Sequence, residues 1–99
     1  MKTGYVYIET NFYKTVFYIG VTSDIEQRHN QHKTEAFDGF SKKYKTKYLI
    51  WFEEFALITD AIDFEKKLKK WKRKWKIELI EKLNPDWKDL STGLPFGPI

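Results

Sequence analysis

The chain is 99 residues long, which suits one domain with a modest core. Aromatic side chains make up 18% of it, too many for a disordered chain, and the absence of cysteine excludes disulfides, zinc–thiolate sites and cysteine nucleophiles. The net charge is +4, yet residues 66–76 (KKLKKWKRKWK) hold eight basic and no acidic residues, so the rest of the chain is net acidic.

Such a localised basic stripe suits either a phosphate-backbone partner or a solvated helix face. The start, Met-Lys-Thr-Gly-Tyr, has no apolar run of signal-peptide length, and no stretch approaches the roughly 20 apolar residues of a membrane span. A soluble, cytoplasmic protein with no membrane partner is expected, and the lack of cysteine fits a reducing compartment.

In chain order, Gly4 to Glu9 is aromatic and β-branched and reads as a strand. Val16 to Thr22 reads as a second strand, joined to the first by a hairpin connection through Asn11. Ser23 with Glu26 has the capping-box pattern, which predicts a helix from Asp24 to about Lys33. Asp38-Gly39 marks a turn. Tyr48 to Phe55 reads as a third strand, and its apolar start predicts the middle of the sheet.

Thr59 or Asp60 can cap the next helix. Phe64, Leu68, Trp71, Trp75 and Leu79 then form an apolar stripe at helical spacing, with the lysines off it. One helix from Asp60 to Leu83 would be long for this domain, so a break is expected near Trp71 to Lys74. Asn84-Pro85 ends the last helix, and residues 91–99 read as an irregular tail.

Strand alternation puts Tyr5 and Tyr7 on one face and pairs Tyr18 with Gly20 on one face. A hairpin would set Tyr7 beside Tyr18, and Gly20 would leave backbone space for a ligand. These tyrosines equally suit half-buried sheet positions with wet hydroxyls. Arg28 and His32, four apart, share a helix face, and an arginine can grip a phosphate with two hydrogen bonds. Glu65 borders the apolar stripe, where a shielded carboxylate can ligate a hard cation or pair with Lys69.

Taken in order, Tyr5-Val6-Tyr7, Tyr18-Ile19-Gly20, Arg28 with His32, and Glu65 resemble the GIY-YIG nuclease family. The resemblance extends to Phe40-Ser41-Lys42-Lys43-Tyr44, to Glu65-Lys66 with Trp71, and to Asn84-Pro85-Asp86-Trp87-Lys88-Asp89-Leu90. It covers about Gly4 to Leu90 and is similar to the small stand-alone branch and to the nuclease domain at the N-terminus of a bacterial excision-repair protein. One departure is Tyr5, which stands where the family's first triplet has glycine; that position looks structural rather than chemical.

The resemblance implies one α/β domain over residues 1–99, a three-stranded, mainly antiparallel sheet flanked by helices. It implies a DNA endonuclease of repair or recombination that uses one divalent ion, Mg²⁺ or Mn²⁺, with branched or damaged DNA among its candidate substrates. The implied catalytic set is Tyr7, Tyr18, Arg28, His32 and Glu65, with Glu65 as the metal ligand and Asn84 near the site. Arg28, Lys69, Lys70, Lys72 and Arg73 would contact nucleic acid. The alternative is a non-catalytic module that binds nucleic acid through residues 66–76; no protein partner is indicated.

Overall fold

A computed structural model describes residues 2–25, 27–28 and 46–93. Strands β1 (Gly4–Thr10), β2 (Phe17–Thr22) and β3 (Tyr48–Phe55) form a sheet in the order β2-β1-β3, with both pairings antiparallel. Helices α1 (Ile58–Lys70) and α2 (Arg73–Leu83) follow, and a short 3-10 turn spans Leu90–Gly93. The expected α/β architecture is present. Among the described residues no helix is long and apolar enough to cross a membrane.

Alternation on β1 divides the molecule. Val6 and Ile8 face a core with Ile19, Ile50, Trp51, Ala61, Leu68 and Ile80, which is the face the helices cover. Tyr7 faces the other way, onto Ile25 and Leu49 with Tyr5, Tyr18 and Phe52 packed around them.

The third strand, expected in the middle, is at an edge of this sheet, and β1 is the central strand. The apolar run of β3 has another cause. Ile8 pairs with Trp51 and Glu9 with Leu49, so Ile50 is an extra residue in β3. This bulge lets consecutive Ile50 and Trp51 serve the helix-side core while Leu49 serves the opposite one.

The carbonyl freed at the bulge is caught from the C-terminal side. Asn84 Nδ2 donates to the Ile50 carbonyl at 3.0 Å and to that of Lys88 at 2.8 Å, while Asn84 Oδ1 accepts the Lys88 N–H at 3.0 Å. Asp89 Oδ1 accepts the Leu49 N–H at 3.3 Å. Asn84 is thus buried as a clamp on β3. Asn84→Ala leaves a buried carbonyl without its donor and should cost about 2 to 3 kcal/mol, or roughly 10 to 15 °C in Tm. Thermal unfolding checks this, and a shift of about 3 °C or less would mean that water replaces the amide.

Helix starts also depart from expectation. Neither Thr59 nor Asp60 caps α1; the cap position is Leu57, with no side-chain bond. The Ile58 N–H instead donates to the Lys2 carbonyl at 2.9 Å, so a tertiary partner replaces the side-chain cap. Earlier in the chain, Ile25, Gln27 and Arg28 are helical, and Asp24 Oδ1 accepts the Gln27 N–H at 3.0 Å. Glu26, the expected partner of Ser23, the rest of that helix to Lys33, the Asp38-Gly39 turn and residues 94–99 of the tail lie outside the described residues.

The helix break is at Trp71 and Lys72, both extended with ψ of 149°. A continuous helix would set Lys69 above Arg73 and Lys70 above Lys74, like-charge pairs that the break separates. The break also turns the apolar stripe. Phe64, Leu68, Trp71 and Leu79 meet the core, but Trp75 is 48% exposed and Ile80 is the buried residue of α2.

Candidate functional site

The two tyrosines of the first hairpin share a sheet face. Tyr7 pairs with Gly20 and Glu9 with Tyr18, so Tyr7 and Tyr18 are diagonal neighbours whose rings stack at 6.2 Å with 28° between planes. The space over Gly20 is taken by Tyr7 itself, not left open to a ligand. A Cβ added at Gly20 would lie 2.5 Å from the Tyr7 hydroxyl oxygen and 2.6 Å from Cζ.

Arg28 reaches this pair from the helical turn that Asp24 starts. Its Nε donates to the Tyr7 hydroxyl at 3.2 Å. Burial holds the Tyr7 phenol well above its ordinary pKa; neighbouring Tyr18 and Glu9 add to the rise, and the Arg28 charge and hydrogen bond oppose it. Tyr7 is therefore neutral at physiological pH, with its hydroxyl oxygen accepting the Arg28 hydrogen bond.

This neutrality has a pH signature. A phenol that keeps its proton in the folded state, while the unfolded chain releases it near 10.0, contributes stability below that pH and loses it above. Stability should fall progressively as pH rises above about 10, and Tyr7→Phe should flatten the slope even though it loses the Arg28 bond. Denaturant titrations across that range read the slope; an unchanged slope would remove Tyr7 as its source.

Glu9 completes the row Tyr5, Tyr7, Glu9 on this face. It is fully buried and lies directly across from Tyr18. Motif reading passes over it because acids at strand ends usually face water. The i, i+2, i+4 spacing with the two tyrosines was the available signal. Tyr5, at the family's glycine position, sends its hydroxyl to Glu54 Oε2 at 3.4 Å.

Glu65 starts from the other side of the sheet. It shares the inward stripe of α1 with Ala61 and Leu68 and is only 8% exposed. Its carboxylate pairs with Lys69, one turn on. Lys69 in turn lines a cleft with Phe17, Tyr18, Ile19 and Lys76, at the outer edge of β2 where the two sheet faces meet. Tyr7, Tyr18 and Arg28 are thus one cluster, and Glu65 is linked to the cleft that Tyr18 lines only through its partner Lys69. Among the described residues no group of three or more His, Cys, Asp or Glu side chains is placed to hold a metal ion. His32 lies outside the described residues.

The basic run folds around the helix break. Lys69 and Lys70 are exposed in the last turn of α1, Lys72 has its ammonium 5.5 Å from the Trp75 ring centre, and Arg73 starts α2. Arg73 is pinned: Nη2 donates to the Lys14 carbonyl at 3.0 Å, and the guanidinium sits 4.2 Å over the Phe17 ring. Burial, then the Arg73 charge, pulls the Lys76 ammonium below its usual pKa. The first turn of α2 has no acidic residue, against the preference of a helix N-terminus for negative charge.

Asn84, expected near the site, is committed to the β3 bulge.

Comparison with solved structures finds the solution NMR structure of a UPF0213 protein from Bacillus halodurans. It is 20% identical, with a TM-score of 0.57, over 91% of this chain and 95% of that one. At this identity the likeness concerns the fold. Comparison with curated proteins gives no match. The family model of the GIY-YIG catalytic domain matches residues 3–78, a stretch that contains both triplets, Arg28 and Glu65. With that match over well more than half of its length, the chain belongs to the GIY-YIG catalytic-domain family, a family of nucleases acting on DNA.

Proposed function

We propose that this domain is a divalent-metal-dependent DNA endonuclease that acts in repair or recombination. The observation that supports the reading most is the Arg28–Tyr7 hydrogen bond, 3.2 Å long, beside the stacked Tyr18. It aims a permanent cation at a surface that also carries a phenol able to hold water.

Glu65 would hold one divalent cation, Mg²⁺ or Mn²⁺. A single shielded carboxylate fits such an ion, whose remaining positions are filled by waters and substrate phosphate oxygens. When bound there, the ion supplies positive charge to the leaving oxygen and the developing phosphorane. Arg28 holds the scissile phosphate and offsets its charge in the transition state. Tyr18 holds the attacking water, and neutral Tyr7 keeps Arg28 in place. His32 relays the proton or contacts phosphate. Lys69, which lines the β2 cleft, would contact a DNA backbone together with Lys70 and Lys72, while Arg73 anchors the hairpin.

Nicking of supercoiled plasmid and of branched DNA, with Mg²⁺ or Mn²⁺ against a chelator, tests the proposal. Metal-dependent nicking is expected. DNA binding without nicking on any substrate would replace the enzyme with a binding module built on residues 66–76.

A further inference from the structure

The loop between β1 and β2 carries two large rings that the core does not use. Phe12 is 71% exposed and Tyr13 77%. The loop itself is tightly braced. Asn11 Oδ1 accepts the N–H groups of Thr15 and Val16 at 2.9 and 3.1 Å, and Asn11 Nδ2 donates to Thr15 Oγ1 at 2.8 Å. The Lys14 N–H donates to the Asn11 carbonyl at 3.0 Å, with Lys14 in the left-handed region at φ 60°. A hairpin needs only polar residues at its tip, so two rings held in water by a rigid frame point to a ligand.

The rings are arranged. Phe12 meets Tyr13 edge-to-face at 5.3 Å and approaches Tyr48 at 6.5 Å. Next to them is a cleft whose lining includes Asn11, Phe12, Lys14, Tyr48, Trp87 and the acidic Asp89. The Arg73 bond to the Lys14 carbonyl ties this loop to the basic run. Aromatic faces next to fixed cations are the composition of single-strand sites: rings stack bases, which every base permits, and cations follow the phosphates. A duplex keeps its bases stacked on one another and offers such rings no face.

We propose that Phe12 and Tyr13 form a stacking site for unpaired nucleobases of a strand whose phosphates run toward residues 66–76. The inference rests on the nuclease reading and names its substrate class: DNA in which a duplex adjoins an unpaired stretch.

The test is equilibrium binding in chelator, so that cutting plays no part. One probe is a duplex with a single-stranded overhang carrying an aminopurine reporter base; the other is the blunt duplex. Wild type should bind the overhang probe about tenfold more tightly and quench the reporter. Phe12→Ala/Tyr13→Ala should lose about tenfold in overhang affinity and the quench, with blunt-duplex affinity and salt slope unchanged. Equal wild-type affinity for the two probes, or a quench that survives the double substitution, overturns the stacking site. Metal-dependent nicking by wild type alongside such a failure keeps the nuclease reading. A wild-type quench that the double substitution abolishes, without nicking, removes that reading and leaves the stacking site.

Discussion

Glu65→Gln is expected to cut metal-dependent nicking by about a hundredfold or more. The substitution keeps volume and planarity at a residue only 8% exposed, so the packing of α1 should persist. It removes the charge a cation needs and also breaks the pair with Lys69. That pair contributes little, because the lysine side chain is 54% exposed and such i,i+4 pairs are worth about 0.3 to 0.5 kcal/mol. Lys69→Met provides the control: it breaks the same pair and keeps the carboxylate, so nicking should persist. Binding to DNA in chelator should hold or tighten in Glu65→Gln, since one negative charge facing phosphate is gone. A glutamine variant that nicks at the wild-type rate would remove Glu65 as the metal ligand.

Gly20→Ala is the second large effect. The new methyl would lie 2.5 Å from the Tyr7 hydroxyl oxygen, and Tyr7 is 1% exposed, so the ring has nowhere to retreat without moving its neighbours. Overpacking of this kind costs about 1 to 3 kcal/mol. The displaced hydroxyl also loses its place under Arg28, and a shift of about 1 Å in a positioned group can cost about a hundredfold in rate. Thermal unfolding and nicking rate should therefore fall together. Adding Tyr7→Phe deletes the nearest clashing atom and should recover part of the stability but none of the rate. A Gly20→Ala protein with wild-type rate would mean that Arg28 does not depend on Tyr7 for its position.

Local periodicities made much of this molecule legible. Period-two alternation put Tyr5 and Tyr7 on one face, the 3.6 period placed both helices, and the excessive length of a single helix from Asp60 to Leu83 placed the break between them. What was hidden depends on contacts far apart in sequence. The strand order could not be read, because Ile50 and Trp51 look like a two-sided central strand when a bulge explains them. The carbonyl of Lys2 stands in for a cap that no residue near Ile58 supplies. Trp75 follows the stripe in sequence and leaves it in space, since the stripe assumes one straight helix. Asn84 sits in a family motif, which drew it toward chemistry, whereas its bonds are to backbone.

The clamp on the β3 bulge also bears on how the chain opens. The bonds from Asn84 and Asp89 to Ile50 and Leu49 span 34 and 40 residues of chain, and they close on a strand that pairs with β1 near the N-terminus. These contacts tie the register of the third strand to the segment after α2, so hydrogen exchange at β3 and in the turn after α2 is expected to report one shared opening; faster exchange of the turn alone would show that the two open separately. The family match ends at residue 78, six residues before the clamp, so such a cooperative unit would be longer than the stretch that identifies it.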